Sequence, residues 1–444
     1  MSNTPTKTFD VIGLQAADLP HAGLAAAVAR AGGTGLLDLE FARDAELAQR
    51  NFVQLCTSSD ARLGLRVTPG SARLAKKLLT QAEGRALTVV LAGTDNFKKL
   101  RKDAGVRSGD RAWAEISDPA QAEAASGCEA IVARGHESGG WIGEYTSYIL
   151  LQKLAGKTAL PLVVQGGVGV HSAAACRAAG AAGVIYDDQL LLLAESPLPT
   201  SLQNELGRLN GSETKLLGEL LDRTCRAYAR PGSPVMKAAE EDNRNAEGEL
   251  LALDAWREQT AARVAWSADG STLLPLGQGI GLAGAFRRRY GNVAKFVQAV
   301  RRDSLRQIDQ AAELRFIDEK GALAVSHGTR FPLAQGPMTR VSDSPAFAVD
   351  VAKGGALPFL ALALMRGDQV REMLEQTAAT IGDQPWGVGM LGFIPHALRE
   401  EQCAEIWKCK PPFALIAGGR PDQAAEFEKR GIKTYIHAPA PALL

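Results

Sequence analysis

Between Arg134 and Ser147 the chain reads RGHESGGWIGEYTS, directly after the apolar run CEAIVA from Cys128 to Ala133. A segment this polar and glycine-rich is poor core material. After an apolar strand it reads as the loop at that strand's C-terminal end, where α/β proteins keep their ligands. His136 is the side chain of this run that titrates near neutral pH, so it is the candidate for proton transfer, against the plainer reading of a hydrogen-bonded loop histidine. Trp141 offers an N–H donor and no titratable proton. Glu137 and Glu144 suit a role in tying the loop to backbone amides. A second stretch, LAQGPMTRVSD from Leu333 to Asp343, sets Gln335, Gly336, Pro337 and Met338 at a strand end. Glycine there lets a flat ligand approach the backbone and proline fixes the turn, although an ordinary βα turn has the same composition. A third, LPLVVQGGVGVHSAAACRAAG, places Gly166 and Gly167 before a helix N-terminus, a backbone-amide cradle suited to an anion. The strand after it leads into Tyr186, Asp187 and Asp188. Two carboxylates beside a phosphate would repel it by about 1 to 4 kcal/mol per close pair.

The elements that must position these residues follow a regular order. Short apolar runs (FDVIGL, TGLLDLEF, RLGLRV, ALTVVLAG, RAWAEIS, EAIVARG, LPLVVQGG, AGVIYDD) alternate with Ala-rich helical patterns. Strand and helix in alternation predict βαβ units, and about eight strands predict a closed (β/α)8 TIM barrel, in an α/β fold, that ends near Pro197 or Pro199. From Thr200 to about Arg330 charged amphipathic stretches such as GSETKLLGELLDRTCRAYAR predict a helical connector. At Phe331 the alternation resumes for about five strands. AAAVARAGGTGLLDLEFARD (Ala25 to Asp44) and AVDVAKGGALPFLALALMRGD (Ala348 to Asp368) share a helix, a Gly-Gly turn, a strand and an Arg/Asp exit, which marks an internal duplication. The expected organisation is a barrel over 1–199, a helical connector or cap over 200–330, and the first part of a second barrel over 331–444.

Taken in order, these motifs resemble nitronate monooxygenases (2-nitropropane dioxygenase-like proteins) and the related flavin-dependent enoyl-acyl-carrier-protein reductases. The resemblance implies FMN as cofactor, with Gln335, Gly336, Pro337 and Met338 against the isoalloxazine ring. Gly389 stands where the family has an asparagine on its third strand. Gly139 and Gly140 match the glycines of the family's strand-six loop, and Gly166 and Gly167 match its phosphate cradle. The family's loop histidine is Trp141 here, which leaves His136 as the substitute, and the family's Gly-Thr after strand eight is replaced by Tyr186, Asp187 and Asp188. The first copy keeps only Gln15 of the Gln-Gly-Pro-Met turn and has Arg66 in place of the asparagine, so its flavin site reads as degraded, with Trp141 expected to fill the ring's place. LGQGIGLAGAFRRRYGNVAKFVQAVRR (Leu276 to Arg302) resembles the family's post-barrel segment, as a cap over the mouth or as plain helix packing. Tandem copies of this kind are similar to those attached to modular polyketide and polyunsaturated fatty acid synthases. The implied activity is reduction of a carrier-protein-bound enoyl chain, with NAD(P)H as donor, or oxidation of a small nitronate, and the implied partners are other synthase domains. A different class stays open: a non-catalytic scaffold used for docking. Five strands do not close a barrel, so the chain is expected to be incomplete as a functional unit.

The totals exclude other classes. Fifty Lys and Arg against 49 Asp and Glu give a net charge of +1 over 444 residues, with no basic footprint for nucleic acid or an anionic membrane. The six cysteines form no CxxC pair, as expected of reduced thiols rather than a zinc site or disulfide frame. No stretch reaches the roughly 18 apolar residues of a membrane span. The expectation is a soluble, cytoplasmic protein.

Overall fold

The computed structural model describes residues 9–58, 61–82, 84–221, 223–267, 269–319 and 321–438. They form two compact units, one ending at Asp309 and one beginning at Gln310. In the first, nine strands precede residue 200: β1 (Asp10–Ala16), β2 (Thr34–Asp38), β3 (Arg62–Val67), β4 (Thr88–Leu91), β5 (Arg111–Ile116), β6 (Ala130–Arg134), β7 (Gly140–Ile142), β8 (Leu162–Gln165) and β9 (Gly183–Tyr186). All but β7 form a closed parallel barrel in the order β1-β2-β3-β4-β5-β6-β8-β9, with β9 returning to β1 so that Asp10 faces Gly183. These are the eight strands expected from the apolar runs. Parallel strands are covered on both faces and so read as near-continuous Val, Ile and Leu.

Successive side chains point to opposite faces, which sorts each strand into helix-facing and interior positions. Ile12, Leu36, Val90, Trp113, Val132 and Ile185 form a buried cluster that fills the middle of the barrel. The same alternation puts Arg62 and Arg66 of β3, or Arg111 and Glu115 of β5, at opposite ends of the interior. The interior is therefore an apolar plug between two charged layers.

The stretch GSETKLLGELLDRTCRAYAR corrects the helical expectation. It forms β10 (Lys215–Leu217) and β11 (Thr224–Ala227), and β11 pairs antiparallel with both β10 and β7. Cys225 and Ala227 are fully buried here, and the edge offered by β7 satisfies backbone groups that a helix would have satisfied internally. Helices Pro234–Glu247, Leu253–Arg263 and Ile280–Tyr290 follow, and the buried start of Val293–Leu314 brings Phe296 to 4.7 Å, ring to ring, from both Tyr186 and Phe286.

In the second unit β12 (Ala334–Gln335), β13 (Leu357–Ala361), β14 (Gly387–Leu391), β15 (Phe413–Ala417) and β16 (Lys433–Ile436) pair in parallel, in that order, as a curled half-barrel. Leu360, Leu362, Val388, Met390 and Ile416 pack under the helices, whereas Leu357, Phe359, Phe413 and Leu415 line the other face. The duplication is visible in the backbone. Helix Gly23–Arg30 reaches β2 through Gly32 at φ +89°, and helix Pro345–Lys353 reaches β13 through Gly355, also at φ +89°. Glycine is needed at both turns because other residues pay for a left-handed backbone. Among the described residues no helix is long and apolar enough to cross a membrane.

Candidate functional site

At the C-terminal mouth of the first barrel, where barrel enzymes keep their chemistry, Arg66 is the hub. Its side chain is 2% exposed. Nε and Nη2 each donate to Glu115 at 2.6 Å, and Nη1 donates to Asp38 at 3.0 Å and to Glu40 at 2.9 Å. Arg134, at the end of β6, lies 3.8 Å from Glu115 and donates to the Gly139 carbonyl. Burial pushes the Glu115 carboxyl up, but Arg66 and Arg134 outweigh it and hold the group below its ordinary value. Glu40 goes the other way: burial dominates Arg66 and raises it. Asp188, 5% exposed, is raised well above the usual carboxylate range by burial and by neighbouring Asp187, while its oxygen accepts from the Gly277 amide. Asp187 accepts from Gln165 at 2.9 Å.

These groups leave a cavity of about 60 Å3 at the mouth, closed further by Trp266 and Pro275 from beyond residue 200. The segment from Leu276 to Arg302, read as either cap or packing, supplies no residue to that lining. The turn at Pro275 to Gly279 approaches the loop so closely that a Cβ on Gly139 would lie 2.2 Å from the Pro275 carbonyl, and one on Gly277 2.3 Å from the Glu137 carbonyl.

The glycine-rich loop is braced from within. His136 is half-buried, its amide donates to the Tyr145 carbonyl at 2.8 Å, and its Nδ1 lies 3.0 Å from the Gly143 carbonyl. It does not line the mouth cavity. Gly139 does, and Gly140 begins β7 at φ +76°. Trp141 is a correction: it does not fill the ring's place at the mouth. It sits on β7 opposite Cys225, packs edge-on against Trp256 at 5.7 Å, and borders a separate groove beside Phe41 and Pro69. Pairing with β11 turns the indole toward the second layer, where its apolar area is covered.

Gly166 and Gly167 have φ +119° and +59°, but Glu137 lies over them: its Cβ would stand 3.2 Å from a Cβ on Gly167. Glu137 accepts from the Ser147 amide at 2.9 Å. The Tyr186 hydroxyl donates to the Gly169 carbonyl at 3.3 Å, beside the first turn of helix Val170–Ala178. A carboxylate and a phenol thus occupy the cradle. A flavin needs a pocket of at least about 300 Å3, so the first mouth does not fit FMN.

The second unit differs at the matching glutamine. Gln15 is 2% exposed, its Oε1 accepting from the amides of Leu24 and Ala25 at 2.9 and 3.1 Å and its Nε2 donating to the His21 carbonyl at 2.6 Å. Gln335 is half-buried, and among the described residues its Oε1 accepts only from the Phe359 amide at 3.2 Å, while its Nε2 bonds the Gly336 carbonyl. Gly336 has open space around it and Met338 is 44% exposed. The Met338 amide is already used, donating to the Ser342 hydroxyl at 2.7 Å. Gly389 lies under this turn: a Cβ there would come within 2.1 Å of Pro337, which explains the missing asparagine. Gly336 and Pro337 border a cavity of about 560 Å3 on the half-barrel's inner face, together with Leu357, Phe359 and Leu415. Its size and apolar walls fit a flat ring; the phosphate-end glycines named above belong to the first unit.

Sequence reading missed His327 and Tyr435, which line this cavity. His327 Nε2 is hydrogen-bonded to the Tyr435 hydroxyl, and the imidazole stacks on Phe413 at 5.2 Å. Burial raises the Tyr435 phenol. No local motif marks His327; the only available signal was a lone histidine before a Gly-Thr turn.

The first unit defines the molecule as a (β/α)8-barrel protein, and solved structures similar to the chain include the following. FabK from Thermotoga maritima is similar with a TM-score of 0.56 and 19% identity, over 69% of this chain and 95% of that one. A nitroalkane oxidase from Streptomyces ansochromogenes aligns with a TM-score of 0.49 and 19% identity, over 68% and 97%. The enoyl reductase domain of MlnA from the macrolactin biosynthesis cluster of Bacillus amyloliquefaciens gives 0.49 and 12%, over 70% and 97%. At this identity the likeness to FabK shows the barrel fold. No protein-family model matches the chain, and no curated protein matches its sequence.

Proposed function

We propose that the chain is an FMN-dependent oxidoreductase module in which the second unit presents the flavin-facing turn and the first barrel is a non-catalytic copy. The carrying observation is the contrast between the two mouths: about 60 Å3 walled by ion pairs in the first, about 560 Å3 of mostly apolar space lined by Gly336 and Pro337, without Gln335 or Met338, in the second. Bound FMN would supply hydride transfer to an enoyl thioester or electron acceptance from a nitronate. The chain's own residues would do the rest. Gln335 pins the turn to β13, Pro337 seated on Gly389 sets its height, and Phe359 and Leu415 exclude water from one face of the ring. His327, Tyr435 and His437 are groups able to hold or move a proton in that cavity. A synthase setting with carrier-bound substrates rests on the resemblance of the tandem copies.

The test is flavin uptake by the full chain, read by the visible absorbance retained after equilibrium dialysis. We expect one FMN per chain, reduced by Gln335→Leu and unchanged by Trp141→His. Retention of no flavin, or of two per chain, would overturn the assignment. The first of those results favours the scaffold reading, for which the filled first mouth is the specific support.

A further inference from the structure

The first barrel is open at its other end. A cavity of about 770 Å3 lies at the N-terminal ends of the strands, more than ten times the roughly 60 Å3 at the C-terminal mouth. That volume falls within the range of about 300 to 1,000 Å3 typical of small-molecule sites. Arg62, Arg111, Arg177 and Arg301 line it, against the two carboxylates of Asp10 and Glu129.

Both carboxylates are engaged. Asp10 is held by Arg62 in two bonds of 2.8 and 2.9 Å and by the Thr34 hydroxyl at 3.1 Å, and Glu129 accepts from the Ala112 amide. Among the described residues the other three arginines form no ion pair. Arg111 donates to the Thr88 hydroxyl at 2.6 Å and lies 5.6 Å over the Trp113 ring. Arg301 donates to the carbonyls of Ala31 and Gly32 at 3.3 and 2.6 Å. Arg177 is 5% exposed, bonds Ser304 at 3.1 Å, stacks over Phe9, and leaves its Nε without a hydrogen-bond partner.

Burying guanidinium groups without matching counter-charge is costly. Burial pulls Arg111 and Arg177 below the ordinary arginine value, and at Arg111 the repulsion of Arg62 adds to this while Asp10 and Glu129 offset only part of it. A bound anion would relieve that cost. Guanidinium groups match phosphate oxygens in geometry as well as charge, and Trp113 and Phe9, each 6% exposed, add apolar edges to the cavity lining.

We propose that the N-terminal mouth of the first barrel is a binding site for a phosphorylated small molecule, its phosphate received by the arginines that lack ion pairs and a flat portion laid along Trp113. Barrel chemistry belongs to the opposite face, so this is a binding site without a catalytic role.

The test is calorimetric titration of the full chain, at physiological salt, with ADP, inorganic pyrophosphate and adenosine. Saturable binding of ADP at one per chain is expected, with pyrophosphate bound about tenfold more weakly and adenosine not bound. Arg111→Gln and Arg301→Gln should each weaken ADP by about tenfold, the scale of one charged hydrogen bond. Thermal unfolding of each variant would show that the barrel is intact. No saturable binding of ADP or pyrophosphate up to about 5 mM, a level that corresponds to negligible affinity, would overturn the proposal. So would adenosine bound as tightly as ADP, or ADP affinity unchanged in both variants. Pyrophosphate bound as tightly as ADP would overturn the part assigned to Trp113.

Discussion

Arg66 holds three carboxylates at once, so its removal strands all three in a buried site. Arg66→Leu should cost about 3 to 5 kcal/mol, as breaking a buried ion pair does, measured by urea unfolding; a loss below about 1 kcal/mol would show that the network relaxes through water. Asp188 gives a pH signature. Its folded value lies above that of an unfolded aspartic acid, about 4, so between those values the native state keeps a proton that the unfolded chain has lost. Its contribution is therefore full below pH about 4 and declines as pH rises through the folded value. Asp188→Asn keeps an oxygen for the Gly277 amide and carries no titrating proton. Its stability relative to the parent should grow with rising pH, and a pH-independent difference between about pH 4 and 9 would contradict this. Arg66 stood out in the sequence as a departure from the family's asparagine. Its partners come from β2, β5 and the loop after β2, and nothing local announces that they converge.

Among the elements, legibility followed coverage. The eight barrel strands and β13 to β15 of the second unit were readable because parallel strands buried on both faces become unbroken apolar runs; β12 and β16, partly exposed, followed from the repeated order of elements. β10 and β11 were not: three or four residues among charged neighbours carry too few periods to separate strand from helix. The mistaken place of Trp141 has the same root, since its environment is made by β11. Trp141→Ala should destabilise the first unit by about 1 to 3 kcal/mol, less than the loss for a fully buried tryptophan, as read from thermal unfolding. At β14, replacing Gly389 with the asparagine of the family should push Pro337 out of place and cost about 1 to 3 kcal/mol, the range for overpacking. An unchanged melting temperature for Gly389→Asn would mean that the turn yields freely.

At the scale of the whole molecule, the first unit closes its sheet on itself and carries its own apolar clusters, whereas the second is an open five-stranded sheet with a cavity on its inner face. Residues 1–309 expressed alone should fold cooperatively, remain monomeric and take up no FMN. Circular dichroism, size-exclusion chromatography and dialysis check these in turn, and flavin uptake by that fragment would contradict the reading of its mouth. The two-copy plan was legible from the repeated helix, Gly-Gly turn and strand. The opposite fates of the two mouths were not, because cavity volume depends on side chains that meet only after the sheet has curled.

The ion-pair hub of Arg66 also bears on what mutation can reach from this sequence. Reopening the first mouth one substitution at a time means passing through intermediates in which Glu115, Glu40 and Asp38 are buried and unmatched. Each such step costs about 3 to 5 kcal/mol, a large share of the 5 to 15 kcal/mol that holds a typical domain together. The way back is therefore a ratchet: several residues on separate strands must change together, and libraries built from single changes should find no route to it.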